Sequence, residues 1–154
     1  MPTHARDVMT NKIIMISVGQ SLADAMNLMV EKRIRHLPVI DADLKIVGIL
    51  HLQDISGLSN LEDKYVEAYM TTPVEWVSQD IPLRAAILKM IEKKIHSLLV
   101  ADDKNELVGI VTSEDLLWIL ASILEKSEKQ HSILTLFDIE SLDEIAHQIA
   151  QTGL

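Results

Sequence analysis

The chain contains no cysteine. That absence removes disulfides, thiolate metal sites and a cysteine nucleophile, and it fits a reducing cytoplasm. Aromatic residues make up only 3% of the sequence, so the interior must be built from Ile, Leu, Val, Met and Ala. Positive charge is scarce: 14 Lys and Arg stand against 23 Asp and Glu, a formal charge of −9. General binding to nucleic acid or to an anionic membrane needs a net basic surface, so neither partner is expected, although a local basic pocket stays open. The polar N-terminus has no apolar signal core, and no apolar run approaches membrane-spanning length. The expectation is a soluble cytoplasmic protein. Gly-x-Ser-x-Gly, Walker and His-Glu-x-x-His patterns are missing too, which leaves an enzyme reading without a motif and no catalytic cofactor implied.

What is present is globular in composition, 154 residues that are 48% hydrophobic and 24% charged. The organising stretch is Gly109-Ile110-Val111-Thr112-Ser113-Glu114-Asp115-Leu116. Leu107 to Val111 reads as a short buried strand, and Thr112 and Ser113 are good helix N-caps with two acids in the first turn behind them. Such a corner sets a hydroxyl beside a carboxylate and next to free backbone N–H groups. A ribose needs an acceptor for its hydroxyls, and a phosphate needs N–H donors at a helix start. Taken alone, such corners are common, and the plain reading, with Thr112 as a cap and Asp115 as an answer to the helix dipole, is the favoured one.

The corner, however, occurs twice. Sixty-one residues earlier the chain reads Gly48-Ile49-Leu50-His51-Leu52-Gln53-Asp54-Ile55, and the register holds without a gap. Met9-Thr10 falls on Met70-Thr71, Ala25 on Ala86, Val39 on Val100 and Asp41 on Asp102. An internal repeat of this kind decides the architecture before any single element does.

The Met-Thr opening, the segments Ile-Arg-His-Leu-Pro-Val-Ile-Asp and Ile-His-Ser-Leu-Leu-Val-Ala-Asp, and the Gly-x-x-Thr-x-x-Asp corner together resemble the cystathionine β-synthase (CBS) domain, and the tandem pair resembles a Bateman module. The likeness covers roughly residues 8 to 120 and leaves out the C-terminal tail. It implies an α/β (α+β) fold of two β-α-β-β-α units about a pseudo-twofold axis, with clefts between them and dimerisation through helices. The division is then 1–59 for the first unit, 60–68 for a linker helix, 69–120 for the second unit and 121–154 for a helical extension.

Along the chain, Ile13 to Ile16 reads as a strand, and Ser21 with Asp24 opens a helix by a capping box. Its apolar face is Leu22, Ala25, Met26 and Met29, with the methionines as core fillers, and the matching face in the second unit is Leu83, Ala86, Ile87, Met90 and Ile91. Asp41–Lys45 and Asp102–Glu106 read as hairpin turns, and Asn60 as the cap of the linker helix from Leu61. The helix begun at Ser113 runs on to about Gln130; after an uncertain segment, Ile133 to Glu140, Ser141 with Glu144 caps a last amphipathic helix, Leu142 to Gln151.

The resemblance implies adenosine ligands (AMP, ADP, ATP or S-adenosylmethionine) held as regulatory effectors in the clefts. By it, Thr112 and Asp115 take the ribose of the better cleft, Thr10, Ile13 and Ile14 line the adenine with Ile110 behind, and Arg35, His36, His96 and Ser97 approach the phosphates. The second cleft, around His51, Asp54, Thr71 and Val74, departs from the pattern. His51 stands where the family has a hydroxyl, and Glu75 brings a carboxylate towards the base. The Asp115 cleft is therefore expected to bind more tightly. A metal held by His36, His51 and His96 is conceivable, but the spacing is no metal motif. The function expected is a stand-alone sensor that changes shape on binding and reports to an effector protein through dimer or tail contacts; the competing reading is a ligand-free dimerisation module with vestigial clefts.

Overall fold

A computed structural model describes residues 1–129. The chain divides into two compact units, residues 1–113 and a unit beginning at Glu114. The first unit contains both repeats. In the first repeat β1 (Ile16–Ser17), α1 (Leu22–Lys32), β2 (His36–Ile40), β3 (Ile46–His51) and the one-turn α2 (Leu52–Ile55) follow in order; in the second, β4 (Trp76–Ser78), α3 (Leu83–Lys93), β5 (Ser97–Ala101) and β6 (Leu107–Thr112) repeat the plan. Each repeat makes a three-stranded sheet, ordered β1-β2-β3 and β4-β5-β6, with the first pair parallel and the second antiparallel. Residues 113–129 are helical. Among the described residues no helix is long and apolar enough to cross a membrane. The capping box expected at Ser141 and Glu144, the helix after it and the segment from Ile133 lie outside the described residues.

The local chemistry explains each element. Ser21 and Asp24 form the expected capping box: Ser21 Oγ accepts the Asp24 N–H at 3.1 Å, and Asp24 Oδ2 accepts the Ser21 N–H at 3.3 Å. Asp41 Oδ1 accepts the N–H groups of Asp43 and Lys45, and Asp102 Oδ1 those of Lys104 and Glu106, which closes both hairpins in the same way. Leu22, Ala25 and Met29 are buried on α1, and Leu83, Ala86 and Met90 on α3. Ile91 departs from its expected place and is 65% exposed. At about 100° per residue it lies roughly 80° around the helix from Leu83, past the edge of the buried stripe; Val30, its equivalent, is likewise 69% exposed.

Two further expectations change. The opening strand is only Ile16–Ser17, and residues 60–68 are not one helix but two 3₁₀ turns, Leu61–Asp63 and Val66–Ala68, with Lys64 extended between them. Asn60 has φ 54 and caps nothing with its side chain. This segment is held by sheet-like bonds instead: Leu22 N–H donates to the Lys64 carbonyl at 2.7 Å, and Val66 N–H to that of Gln20 at 3.0 Å.

The same bonds appear 61 residues apart with the repeats exchanged. Leu83 N–H donates to the Thr3 carbonyl at 2.8 Å and Ala5 N–H to that of Ile81 at 3.0 Å, so the opening of the first repeat is pinned to the second. Thr10 and Ile110 exchange N–H···O bonds of 2.9 and 3.1 Å, and Thr71 and Ile49 exchange bonds of 2.8 and 3.0 Å. The close approach needs glycine opposite the methionine. A Cβ on Gly109 would lie 2.5 Å from Met9 Sδ, and one on Gly48 2.4 Å from Met70 Sδ. Between these crossings Ile49, Leu99 and Ile110 form a buried cluster, flanked by Ile13 and Val74 and by Ile46 and Leu107. These are two pairs of equivalent positions. The two repeats thus share a core at their common boundary.

Candidate functional site

A cleft of about 340 Å³ opens at that boundary, a volume in the range of small-ligand sites. Its first-repeat wall is His36 on β2, Ile49 and His51 on β3, and Gln53 and Asp54 on α2. The opening of the second repeat adds Thr71, Pro73, Val74 and Glu75, and the turn from α3 into β5 adds Lys94, Ile95, His96 and Ser97. This is the Asp54 cleft of the sequence reading, and it gathers His51, Asp54, Thr71 and Val74 with His36, His96 and Ser97.

Three imidazoles meet in it. His36 and His51 face each other in the β2–β3 register, which places cross-strand neighbours on one face; their ring centroids are 4.3 Å apart. His96 arrives from the other repeat, 5.3 Å from His51 and tilted only 20° from its plane. Burial, with His51, His96 and Arg35 nearby, pushes His36 down to about 3. His36 is therefore a neutral ring near pH 7. Its Nε2 is shut off from solvent without a hydrogen-bond partner. His51 is also lowered, by burial, although Asp54 opposes the shift. Its Nδ1 accepts the Gln53 N–H at 3.3 Å, so the imidazole does the capping work of the hydroxyl it replaces. Asp54 Oδ2 accepts the His51 N–H at 3.0 Å, completing a capping box at α2.

Glu75 does not bring an uncompensated charge to the base. Lys89 Nζ lies 3.0 Å from its Oε2 and Lys93 Nζ 3.6 Å from its Oε1, and the hydrogen bond from Lys89 holds its carboxyl below the usual carboxylate range. Lys94, Gln53 and Ile49 are wall residues that the sequence reading missed. The signal for Lys94 lay in the repeat. Arg33 and Lys94 are equivalent, and both take the left-handed C-cap conformation that turns the chain from helix to strand.

The residues expected around the other cleft are placed as follows. Thr10 is bridged to Ile110 through the backbone, and Ile13 packs on the shared cluster, whereas Ile14 packs against the first-repeat core. Arg35 is exposed, and its carbonyl accepts the Leu52 N–H at 2.8 Å, as that of His96 accepts Ser113 N–H at 2.9 Å. Thr112 closes β6 in the first compact unit, and Asp115 belongs to the second. No group of three or more His, Asp or Glu among the described residues is arranged to hold a metal.

The CBS domain family matches residues 5–59 and again residues 66–122. The chain belongs to the CBS domain family. Over 114 residues it is 38% identical to a homoserine O-acetyltransferase of Methanohalobium evestigatum, which covers 74% of this chain but 23% of that protein. It is 31% identical over 113 residues to an inosine-5′-monophosphate dehydrogenase of Methanocaldococcus jannaschii, 73% of this chain and again 23% of the other. The chain thus spans less than a quarter of the length of these two curated relatives. Among solved structures, the CBS domain pair of a protein in complex with 5′-methylthioadenosine and S-adenosyl-L-methionine is 30% identical, with a TM-score of 0.69 and coverage of 79% of this chain and 98% of that one. An uncharacterized conserved protein from Pyrococcus horikoshii is also 30% identical, with a TM-score of 0.68 and coverage of 77% and 92%.

Proposed function

We propose that this CBS pair is a regulatory module that binds an adenosine-containing ligand between its repeats and signals by a change in their arrangement. The observation that carries the reading is the walled cleft at the repeat boundary, lined by the ribose-corner acid Asp54 of one repeat and the opening segment of the other. Its support from outside the chain is the related CBS pair that holds 5′-methylthioadenosine and S-adenosyl-L-methionine. The relatives' printed activities differ in reaction class while the matched segment is shared, which favours a regulatory role for that segment over a catalytic one.

Thr112 and Asp115 are proposed as the ribose-binding hydroxyl and carboxylate of the tighter site, with Thr10, Ile13, Ile14 and Ile110 on the base side, as the family resemblance implies. The Asp54 cleft is the second site. Calorimetric titration with AMP, ATP, 5′-methylthioadenosine and S-adenosylmethionine tests this. Saturable binding is expected, with the tighter phase lost in Asp115→Ala and the weaker in Asp54→Ala. Exchange of those effects would reverse the ranking.

A homodimer is part of the proposal. Val30 on α1 and Ile91 on α3 are exposed at equivalent positions, with Leu88 beside the latter at 38%, and apolar helix faces of this kind favour a partner. The same faces support the competing reading, a dimerisation module with vestigial clefts, which predicts no binding by any adenosine compound. Light scattering of Ile91→Glu reads the dimer separately from the ligand.

A further inference from the structure

We propose that the His36–His51–His96 cluster makes the Asp54 cleft a proton-coupled phosphate site: a ligand bearing a phosphate binds there with uptake of a proton, and a nucleoside that lacks a phosphate binds without uptake. The inference rests on the reading of this cleft as an adenosine site and adds to it a ligand chemistry and a dependence on pH.

The argument begins with the rings. Centroids 4.3 and 5.3 Å apart leave room for one charge in the cluster, because a second cation would stand against the first in a partly buried space. In the free protein that charge is resisted at His36 and at His51. His51 uses Nδ1 as the acceptor that caps α2, so a proton there would remove the cap, and burial holds His36 neutral. Among the other charged groups facing the cluster, Asp54 favours a charge on His51 but burial outweighs it, and Glu75 is held by Lys89 and Lys93. Arg35 and Lys94 add positive charge from the turns that follow α1 and α3.

A phosphate entering the cleft changes this balance. It brings up to two negative charges within reach of the exposed ring of His96 and of His51, and an opposite charge at such range favours the imidazolium strongly. The imidazole that faces the bound phosphate then takes up the proton. By linkage, uptake of about one proton makes affinity rise about tenfold for each unit by which pH falls.

The experiment is titration calorimetry of the full chain with AMP, ATP and adenosine near neutral pH, in a series of buffers that differ in ionisation enthalpy. The expected result is a buffer-dependent heat corresponding to uptake of about one proton for AMP and ATP, and none for adenosine. His96→Gln and His51→Gln, tested singly and together, are expected to abolish the uptake. That comparison also separates imidazole from the phosphate's own protonation, which would persist in the variants. Binding of AMP without buffer dependence, or uptake that survives the double variant, overturns the proton coupling and leaves the adenosine reading intact. Absence of binding by all three compounds overturns both.

Discussion

At the residue scale the repeat is enforced by pairs of side chains that meet across it. Gly109 faces Met9, and Gly48 faces Met70, at distances that leave no room for a Cβ. Gly109→Ala is expected to cost about 1–3 kcal/mol in urea denaturation, as overpacking does. Met9→Ala in the same chain should recover part of that loss, giving a clear coupling energy in the double-mutant cycle; strictly additive losses would show that the two do not touch. His36 makes a second residue-scale prediction. An unfolded chain protonates it near its ordinary 6.5, whereas the folded one resists until about 3. Between those values the unfolded state binds more protons, so its contribution is fully present above about pH 6.5 and is lost steadily as pH falls towards 3. The urea midpoint should fall over that window, and His36→Gln should flatten the fall. A variant with the parent's slope would assign the pH dependence elsewhere.

At the scale of elements, caps and turns did most of the specifying. Ser21→Ala removes the acceptor for the Asp24 N–H and is expected to cost about 0.5–2 kcal/mol by thermal or urea denaturation; no change would mean that Asp24 holds the helix start unaided. That capping box, both hairpins, both long helices and the strand before each corner were legible in the sequence, because each rests on contacts within a few residues. The linker was not. Leu61 to Ala68 carries a helical-looking alternation, but its backbone is claimed by long-range bonds to Gln20, Ser21 and Leu22, which no local pattern reports. The site shows the same division. His51, Asp54, Thr71 and Val74 were grouped through the family resemblance and line one cleft, whereas the stacking of His96 on His51 and the masking of Glu75 by two lysines of α3 depend on how the repeats meet.

For the whole molecule the consequence is that a sequence repeat and a folding unit are different things. The opening of each repeat is bound to the other, through Thr3 and Ala5 on one side and Lys64 and Val66 on the other, and the Arg6–Asp80 ion pair crosses in the same sense. Ala5 is fully buried. Ala5→Glu would place an unpaired charge in that site at a cost on the order of 3 kcal/mol or more. Hydrogen exchange should then rise in β4 and β5 as well as in the opening segment; a rise confined to residues 1–13 would show that the crossing contributes little. A fold closed in this way ties any cleft at the boundary to the arrangement of both halves, and a ligand that spans it has two states to discriminate.

The most direct test of the account is calorimetry of the purified chain with an adenosine panel (AMP, ATP, 5′-methylthioadenosine and S-adenosylmethionine), repeated for Asp54→Ala and Asp115→Ala. The account predicts saturable binding by at least one of these compounds, weakened by each substitution. A flat titration with every compound, from protein shown to be folded, would contradict it.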